Sequence, residues 1–186
     1  MLVTVGETDQ WVQGIIERAK KLKIGNGFDE GTDIGPVISP AARERIEGLI
    51  ASCESQGGKI LLDGRGMKAD GYPEGNWVGP TILEATTEMD CYTQEIFGPC
   101  LTIVKAKTLD DAIELINKNQ YGNGAAIFTQ SGATARKFEK TIEAGQLGIN
   151  VPIVSYRERA ESTPSKLRVL SLSFSARQQP VPLPML

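Results

Sequence analysis

The 186-residue sequence contains no histidine and only three cysteines. Without histidine, Ser-His and Cys-His catalytic pairs are excluded, and the commonest metal ligand is missing. Cys53, Cys91 and Cys100 lie far apart and form no C-x-x-C pattern, so we expect neither a zinc site nor a disulfide framework. Reduced, buried thiols are the expected state of all three, and no metal ligand set is predicted.

The sequence also lacks an excess of positive charge and any long apolar run. Its net charge of −3 provides no basic face, which argues against a nucleic-acid partner. No apolar run approaches the ~20 residues that a membrane-spanning helix needs, so we expect no membrane insertion. The N-terminal stretch MLVTVGETDQWV has no basic segment and is acidic early, unlike a signal or transit peptide. A chain expressed in this form is expected to stay in the cytoplasm.

Strand-like and helix-like segments alternate along the first four-fifths of the chain. This order predicts an α/β fold with a largely parallel sheet flanked by helices. The predicted strands carry the sequences MLVTV, KILLDG, TIL, LTIVKA, AAIFT and QLGINV.

Helix-start signals precede three of the predicted helices. Thr8 can cap a first helix, whose apolar stripe is predicted to comprise Trp11, Ile15, Ala19 and Leu22. Ser39 followed by Pro40 combines a cap with a proline at the first helical position, and the predicted buried stripe is Ile46, Leu49, Ile50 and Cys53. Thr108 and Asp111 have the spacing of a capping box. A further helix is predicted from Thr134 to Glu143, and Gly145 ends it.

Two local patterns allow a functional and a structural interpretation. Gly122-Asn123-Gly124 contains the glycines of a dinucleotide loop, but it follows a helix and precedes a strand, which favours a turn. Cys100 follows a Gly-Pro pair and could be a nucleophile. The four residues after it are Leu, Thr, Ile and Val, which favour the start of a buried strand.

The stretch YTQEIFGPCL places a carboxylate, an aromatic ring and a rigid turn on neighbouring residues. A single glutamate such as Glu95 is usually a solvated surface group. Beside Phe97 and the Gly98-Pro99 turn, however, its carboxylate could accept hydrogen bonds from a pair of hydroxyl groups, as in a ribose. The ring of Phe97 could then limit where an attached nicotinamide lies.

Several sequence segments resemble the aldehyde dehydrogenase superfamily, specifically its CoA-acylating methylmalonate-semialdehyde branch. The resemblance covers the stretch from Met1 to Ile153 and corresponds to the C-terminal, catalytic-domain part of that family. It is carried by ERAKKLKIGNG, DIGPVIS, GGKILLDGRG, GYPEGNWVGPTI, CYTQEIFGP, NKNQYGNGAAIFT, GATARKFE and GQLGINVPI.

This resemblance implies an oxidoreductase of valine and pyrimidine catabolism that uses NAD and coenzyme A. In such enzymes a cysteine thiolate attacks malonate or methylmalonate semialdehyde, hydride passes to NAD, and CoA takes the acyl group. Glu95 and Phe97 match the family residues that bind the nicotinamide ribose and line its pocket. The family also implies a homo-oligomer and, in eukaryotes, a mitochondrial location.

The family nucleophile stands in a G-Q-x-C segment, and none of the three cysteines has that context. We therefore assign no catalytic residue and expect this chain alone to be inactive, since loss of a covalent nucleophile can cost on the order of 10⁶ in kcat. An alternative is a non-catalytic interaction fragment that associates with full-length subunits. A third hypothesis is a non-acylating aldehyde dehydrogenase. The segment GQLGINVPI argues against it, because this segment resembles the acylating branch.

The last part of the sequence differs from the rest. Residues 1–153 carry a net charge of −6 and are predicted to form a partial catalytic domain, whereas residues 154–186 carry +3 and are rich in serine and proline. We expect an irregular, disordered tail there. The alternation of Leu170, Leu172 and Phe174 with serines is also compatible with a short strand. Removal of residues 154–179 would restore the family-like words GINVPIPVPLPM, which suggests a retained intron or a gene-model error.

Overall fold

A computed structural model of the chain describes residues 1–6 and 9–152. These residues form two compact units, one within residues 1–107 and one within residues 108–152. The first unit comprises β1 (Leu2–Val5), α1 (Asp9–Ala19), α2 (Pro40–Ser55), β2 (Lys59–Leu62), β3 (Thr81–Glu84), α3 (Asp90–Thr93) and β4 (Cys100–Ala106). The second comprises α4 (Leu109–Lys118), β5 (Gly124–Ile127), α5 (Gly132–Thr141) and β6 (Gln146–Ile149). The predicted α/β class is confirmed.

The sheet of the first unit has the strand order β1-β4-β3-β2. β4 pairs in parallel with both of its neighbours, so that Ile103 lies in register with Leu2 on one side and with Glu84 on the other. β2 pairs with β3 in the antiparallel direction and is the one exception to the predicted parallel order among the described strands of this sheet. Short apolar strands of this kind fit a sheet that is covered by helices.

The second helix, α2, begins and packs as its sequence predicts. The Ser39 hydroxyl accepts a hydrogen bond from the backbone N–H of Ala42, and Pro40 occupies the first turn. All four residues of the predicted stripe are buried, and they pack with Val78, Leu83 and neighbouring apolar side chains. One core cluster of the first unit therefore lies between α2 and the sheet.

The first helix buries a different face from the one predicted. Val12 and Ile16 are buried against Ile82 and Ile103 of the sheet, whereas Trp11 is 60% exposed. The prediction that Trp11 lies on the buried stripe was therefore wrong. The buried stripe is displaced by one residue, with Ile15 and Ala19 only half-buried at its edge.

The second unit is a two-stranded parallel sheet with two helices. β5 pairs with β6, with Gly124 in register with Gln146. The Thr108 hydroxyl accepts a hydrogen bond from the Asp111 N–H, and the Asp111 carboxylate accepts one from the Thr108 N–H, which completes the predicted capping box. Asn117 of α4 donates to the carbonyl of Thr141 and thereby ties α4 to the end of α5. Gly122 and Asn123 lie between α4 and β5, as the turn interpretation predicts.

Some sequence-based expectations fall outside the described residues. These are the Thr8 cap and every statement about residues 154–186, including the insert at residues 154–179. Within the described part of the chain, no helix combines the length and apolar character needed to cross a membrane.

Candidate functional site

The candidate site is the short loop from Gln94 to Pro99, which joins α3 to β4. The one-turn helix α3 ends at Thr93, and its last turn is closed by a hydrogen bond from the Gln94 N–H to the carbonyl of Asp90. The Pro99 carbonyl then accepts from the N–H of Thr81 as β4 begins beside β3. Both ends of the loop are therefore held by regular structure.

Glu95 lies within this loop with its side chain half-buried. Its Oε1 atom is shielded from solvent and makes no hydrogen bond with any described residue. A buried carboxylate oxygen normally has a partner, because an unsatisfied polar group in the interior is costly. The Glu95 carboxylate is thus an acceptor with unused capacity.

Phe97 lies two residues further on and has an unusual backbone conformation. Its φ angle is +50°, in the left-handed region that non-glycine residues rarely adopt. The ring is 68% exposed. An exposed aromatic ring on a constrained backbone, two residues after an unpaired carboxylate, is an arrangement suited to ligand contact.

The helix α2 packs against this loop and holds it through two hydrogen bonds. Arg45 donates from Nη1 to the carbonyl of Glu95 at 2.9 Å and from Nη2 to the carbonyl of Ile96 at 2.6 Å. A Cβ atom placed on Gly98 would come within 2.8 Å of Ile46 Cδ1, so the loop at this glycine packs closely against the Ile46 side chain of α2. Sequence reasoning missed Arg45, because no local pattern links it to a loop about fifty residues away.

The three thiols lie in environments that disfavour the nucleophilic thiolate. Burial raises the pKa of Cys91 to about 12, and burial likewise raises the pKa of Cys53. The Cys53 thiol donates a hydrogen bond to the carbonyl of Glu84, and both Cys53 and Cys91 lie in the apolar cluster under α2. These contacts agree with the predicted role of both residues as buried core thiols.

Cys100 begins β4, as the strand interpretation predicts, but its side chain is only half-buried, unlike those of Cys53 and Cys91. Burial raises the pKa of its thiol to about 12, and a hydrogen bond with Thr81 opposes that rise. Because the thiolate is the reactive form, this environment is unlike that of an activated cysteine. No group of three or more acidic or cysteine side chains that could hold a metal ion occurs among the described residues.

Comparison with known proteins adds evidence of a different kind. Residues 1–162 match the aldehyde dehydrogenase family. The acylating, mitochondrial methylmalonate-semialdehyde dehydrogenase of Arabidopsis thaliana is 56% identical over 152 residues, which cover 81% of this chain and 25% of that protein.

Solved structures show the same relationship in the fold. The crystal structure of methylmalonate-semialdehyde dehydrogenase from Oceanimonas doudoroffii matches with a TM-score of 0.76 and 41% identity, covering 81% of this chain and 32% of that one. Betaine aldehyde dehydrogenase from Staphylococcus aureus in complex with NAD⁺ matches with a TM-score of 0.77 and 31% identity, covering 85% and 32%. The chain spans between 25% and 29% of the length of the curated relatives it matches.

Proposed function

The chain belongs to the aldehyde dehydrogenase family, and we propose that it forms the part of a CoA-acylating semialdehyde dehydrogenase that binds the nicotinamide ribose of NAD. The observation that carries this proposal is the buried Oε1 atom of Glu95, which has no hydrogen-bond partner among the described residues. The exposed ring of Phe97 belongs to the same loop, two residues further along the chain. The two residues would act as hydroxyl acceptor and pocket wall.

A ribose suits this site for a chemical reason. Its two adjacent hydroxyl groups can donate to one carboxylate, and hydrogen bonds to a charged acceptor are the strong ones. Because Oε1 is shielded from solvent, the Glu95 side chain would have to rotate for this atom to reach a ribose hydroxyl, and it would then gain the partner that it lacks within the described chain. When bound, NAD supplies the hydride acceptor of an aldehyde oxidation. The contribution of Glu95 and Phe97 is to hold and orient the ribose and to limit where the nicotinamide lies.

The substrate class follows from the relatives. The Arabidopsis thaliana relative is named as an acylating methylmalonate-semialdehyde dehydrogenase and as mitochondrial. We infer that the complete enzyme oxidises methylmalonate or malonate semialdehyde, transfers the acyl group to CoA, and works as a homo-oligomer in the mitochondrion. Residues 1–153 would be its partial catalytic domain, and residues 154–186 an aberrant tail.

We further infer that this chain by itself is catalytically inactive. A covalent mechanism needs an activated thiolate, and none of Cys53, Cys91 and Cys100 stands in the G-Q-x-C context of the family nucleophile. Burial also raises the pKa of each of the three thiols. The purified 186-residue chain, supplied with malonate semialdehyde, NAD and CoA, is expected to form no NADH above a no-protein blank. NADH formation that depends on all three compounds would contradict this inference.

The ribose site can be tested without turnover. We expect saturation-transfer NMR on the full chain to detect nicotinamide mononucleotide binding with a dissociation constant on the order of 1 mM, about 4 kcal/mol of binding free energy. Glu95→Gln keeps the shape and removes the charge, and it should weaken this binding about tenfold. Glu139→Gln, at an exposed position of α5, is the matched control and should bind as the unmodified chain does. Equal affinity of the Glu95→Gln variant would refute the proposed role of Glu95.

A second candidate function is a non-catalytic module that associates with full-length subunits. Two exposed apolar side chains of the first unit favour this function: Phe28 is 99% exposed and Ile38 is 91% exposed. Exposed apolar surface promotes binding to a partner protein. Co-expression with full-length subunits tests this function. Co-purification that the double variant Phe28→Ser/Ile38→Ser abolishes would support it, and recovery of the chain without those subunits would oppose it.

A further inference from the structure

Arg45 makes an unusual contact for an arginine on a helix surface. Its two terminal nitrogens donate to consecutive backbone carbonyls, at 2.9 Å to Glu95 and at 2.6 Å to Ile96. Both acceptors are neutral backbone groups, so the contact differs from an ordinary ion pair with a carboxylate. The planar guanidinium presents its donors as a fixed fork, which suits two neighbouring acceptors.

The contact constrains the loop on the N-terminal side of Phe97. When two successive carbonyls point at one guanidinium, the peptide planes that carry them lose their freedom to rotate. The next residue, Phe97, holds a φ angle of +50°, which persists only where the surrounding structure imposes it. On the other side, Gly98 lies against Ile46, the neighbour of Arg45 in α2. One turn of α2 therefore contacts the loop on both sides of Phe97.

We propose that Arg45 is a positioning residue that sets the conformation of Glu95 and Phe97 for ribose binding. This inference rests on the proposed function of Glu95. Arg45 acts through the backbone: its fork orients the peptide groups of Glu95 and Ile96, which fixes the backbone positions from which the Glu95 carboxylate and the exposed Phe97 ring would contact a ribose. A lysine at this position keeps the positive charge but lacks the planar fork of donors. We therefore expect it to preserve the loop conformation only partly.

The experiment compares three variants in the full chain. Arg45→Met keeps most of the aliphatic stem and removes both donors, and Arg45→Lys keeps the charge but not the fork. Arg136→Met is the matched control, because it makes the same chemical change at an exposed position of α5. Two quantities are measured for each: affinity for nicotinamide mononucleotide, and the intraresidue Hα–HN nuclear Overhauser effect of Phe97, which is strong when φ is positive.

We expect Arg45→Met to lose the strong Phe97 signal and to bind nicotinamide mononucleotide about tenfold more weakly. Arg45→Lys should be intermediate in both measurements, and Arg136→Met should match the unmodified chain. A residue that only stabilised the fold would lower the thermal midpoint but leave the Phe97 signal and the affinity of the folded chain unchanged. That result would overturn the inference.

The two proposals fail in different ways. If Glu95→Gln weakens binding but Arg45→Met does not, the ribose site stands and the positioning role of Arg45 is refuted. If Glu95→Gln does not change the affinity for nicotinamide mononucleotide, the ribose site is refuted. The role of Arg45 in ribose binding is then refuted as well, even if Arg45→Met alters the Phe97 signal. If Arg45→Met does not fold, Arg45→Lys is the deciding variant. An affinity and a Phe97 signal equal to those of the unmodified chain would show that the guanidinium fork is not required, and this would refute the positioning role of Arg45.

Discussion

A methyl group added to Gly98 would lie 2.8 Å from the Cδ1 atom of Ile46, closer than packed side-chain atoms approach each other. The φ angle of Gly98 is not in the left-handed region, so the constraint at this glycine is space and not backbone conformation. The loop that carries Glu95 and Phe97 thus packs against the Ile46 side chain of α2 with no room for a side chain on Gly98 unless Ile46 moves.

Replacement of Gly98 by alanine is expected to destabilise the chain by about 1–3 kcal/mol, the usual cost of overpacking a core. Ile46→Val, which removes Cδ1, should cost about 0.5–1.5 kcal/mol on its own. The double variant is expected to be more stable than the sum of the two single effects, because the missing Cδ1 makes room for the new methyl group. Urea unfolding of the four proteins measures this coupling. If the two single effects on the free energy of unfolding simply add, the contact between Ile46 Cδ1 and the new methyl group does not determine the cost of Gly98→Ala.

Gly48 provides the contrasting glycine on the same helix. It lies in the interior of α2, and a Cβ placed there would meet nothing within 4 Å. Gly48→Ala is therefore expected to raise the free energy of unfolding by up to about 1 kcal/mol, because alanine has the higher helix propensity. The same urea titration checks it. A loss of stability would mean that this face of α2 is covered by something that the described residues do not include.

The capping box of α4 should show mutual dependence. Thr108→Ala is expected to cost about 1 kcal/mol, the typical value of a lost N-cap. Asp111→Ala should cost less after Thr108 has been replaced than before, because the two side chains bond to each other's backbone groups. The measurement is a double-mutant cycle by urea unfolding. Ser55→Ala near the end of α2 serves as a hydroxyl-deletion control, for which a smaller effect is expected.

Glu84 should make stability depend on pH. A hydrogen bond from Lys105, at 3.0 Å, is the main cause that lowers the pKa of Glu84 below its ordinary value of 4.5, with Lys59 contributing. A carboxylate with a lowered pKa in the folded state stabilises the fold above its unfolded pKa, and this contribution is lost as pH falls through the folded pKa. Glu84→Gln should therefore lower the free energy of unfolding by about 0.5–1 kcal/mol near neutral pH.

That difference between Glu84→Gln and the unmodified chain is expected to vanish in acid, well below the ordinary pKa of 4.5. Urea unfolding across the acid range measures it. Glu114→Gln is the control, because the Glu114–Lys118 pair of α4 is more exposed and should contribute less. A constant difference at every pH would show that packing of the Glu84 side chain, and not its charge, stabilises the sheet.

The cysteines are expected to resist modification in the folded chain. Burial raises the pKa of Cys91 and of Cys100 to about 12, and it raises that of Cys53 as well. Because the thiolate is the reacting species, a disulfide reagent should modify the native chain at least about 100-fold more slowly than the urea-unfolded chain. Thiol release over time measures both rates. A thiol that reacts rapidly near neutral pH would revive the hypothesis of a nucleophile, and the variant Cys100→Ala would identify it.

Local signals predicted much of the fold because they act over a few residues. Ser39 with Pro40, and Thr108 with Asp111, fix the starts of two helices through bonds within one turn. The stripe of α2 was predictable because four apolar residues share one face. On α1 the pattern was ambiguous, since Trp11 and Val12 are adjacent and only the packing against the sheet decides which is buried.

Long-range features of the site were not predictable in the same way. The sequence indicates Glu95 and Phe97 through their neighbours, but it does not show that the Glu95 carboxylate has an unused acceptor. Nor does it link Arg45 to the carbonyls of that loop, because no local pattern encodes a contact to a backbone group of another element. The antiparallel direction of β2 likewise depends on the path of the chain between β2 and β3.

The parallel pairing of β1 with β4 has a consequence for how the chain folds. Leu2 pairs with Ile103, so about a hundred residues must be made before the first strand can meet its partner. Contacts between residues so distant in sequence slow folding, because a long loop must close before the pairing stabilises anything. During synthesis on the ribosome β1 therefore waits as an unpaired apolar strand. The first unit is expected to fold late, once β4 has emerged, and a pause in translation before Cys100 would prolong that exposure.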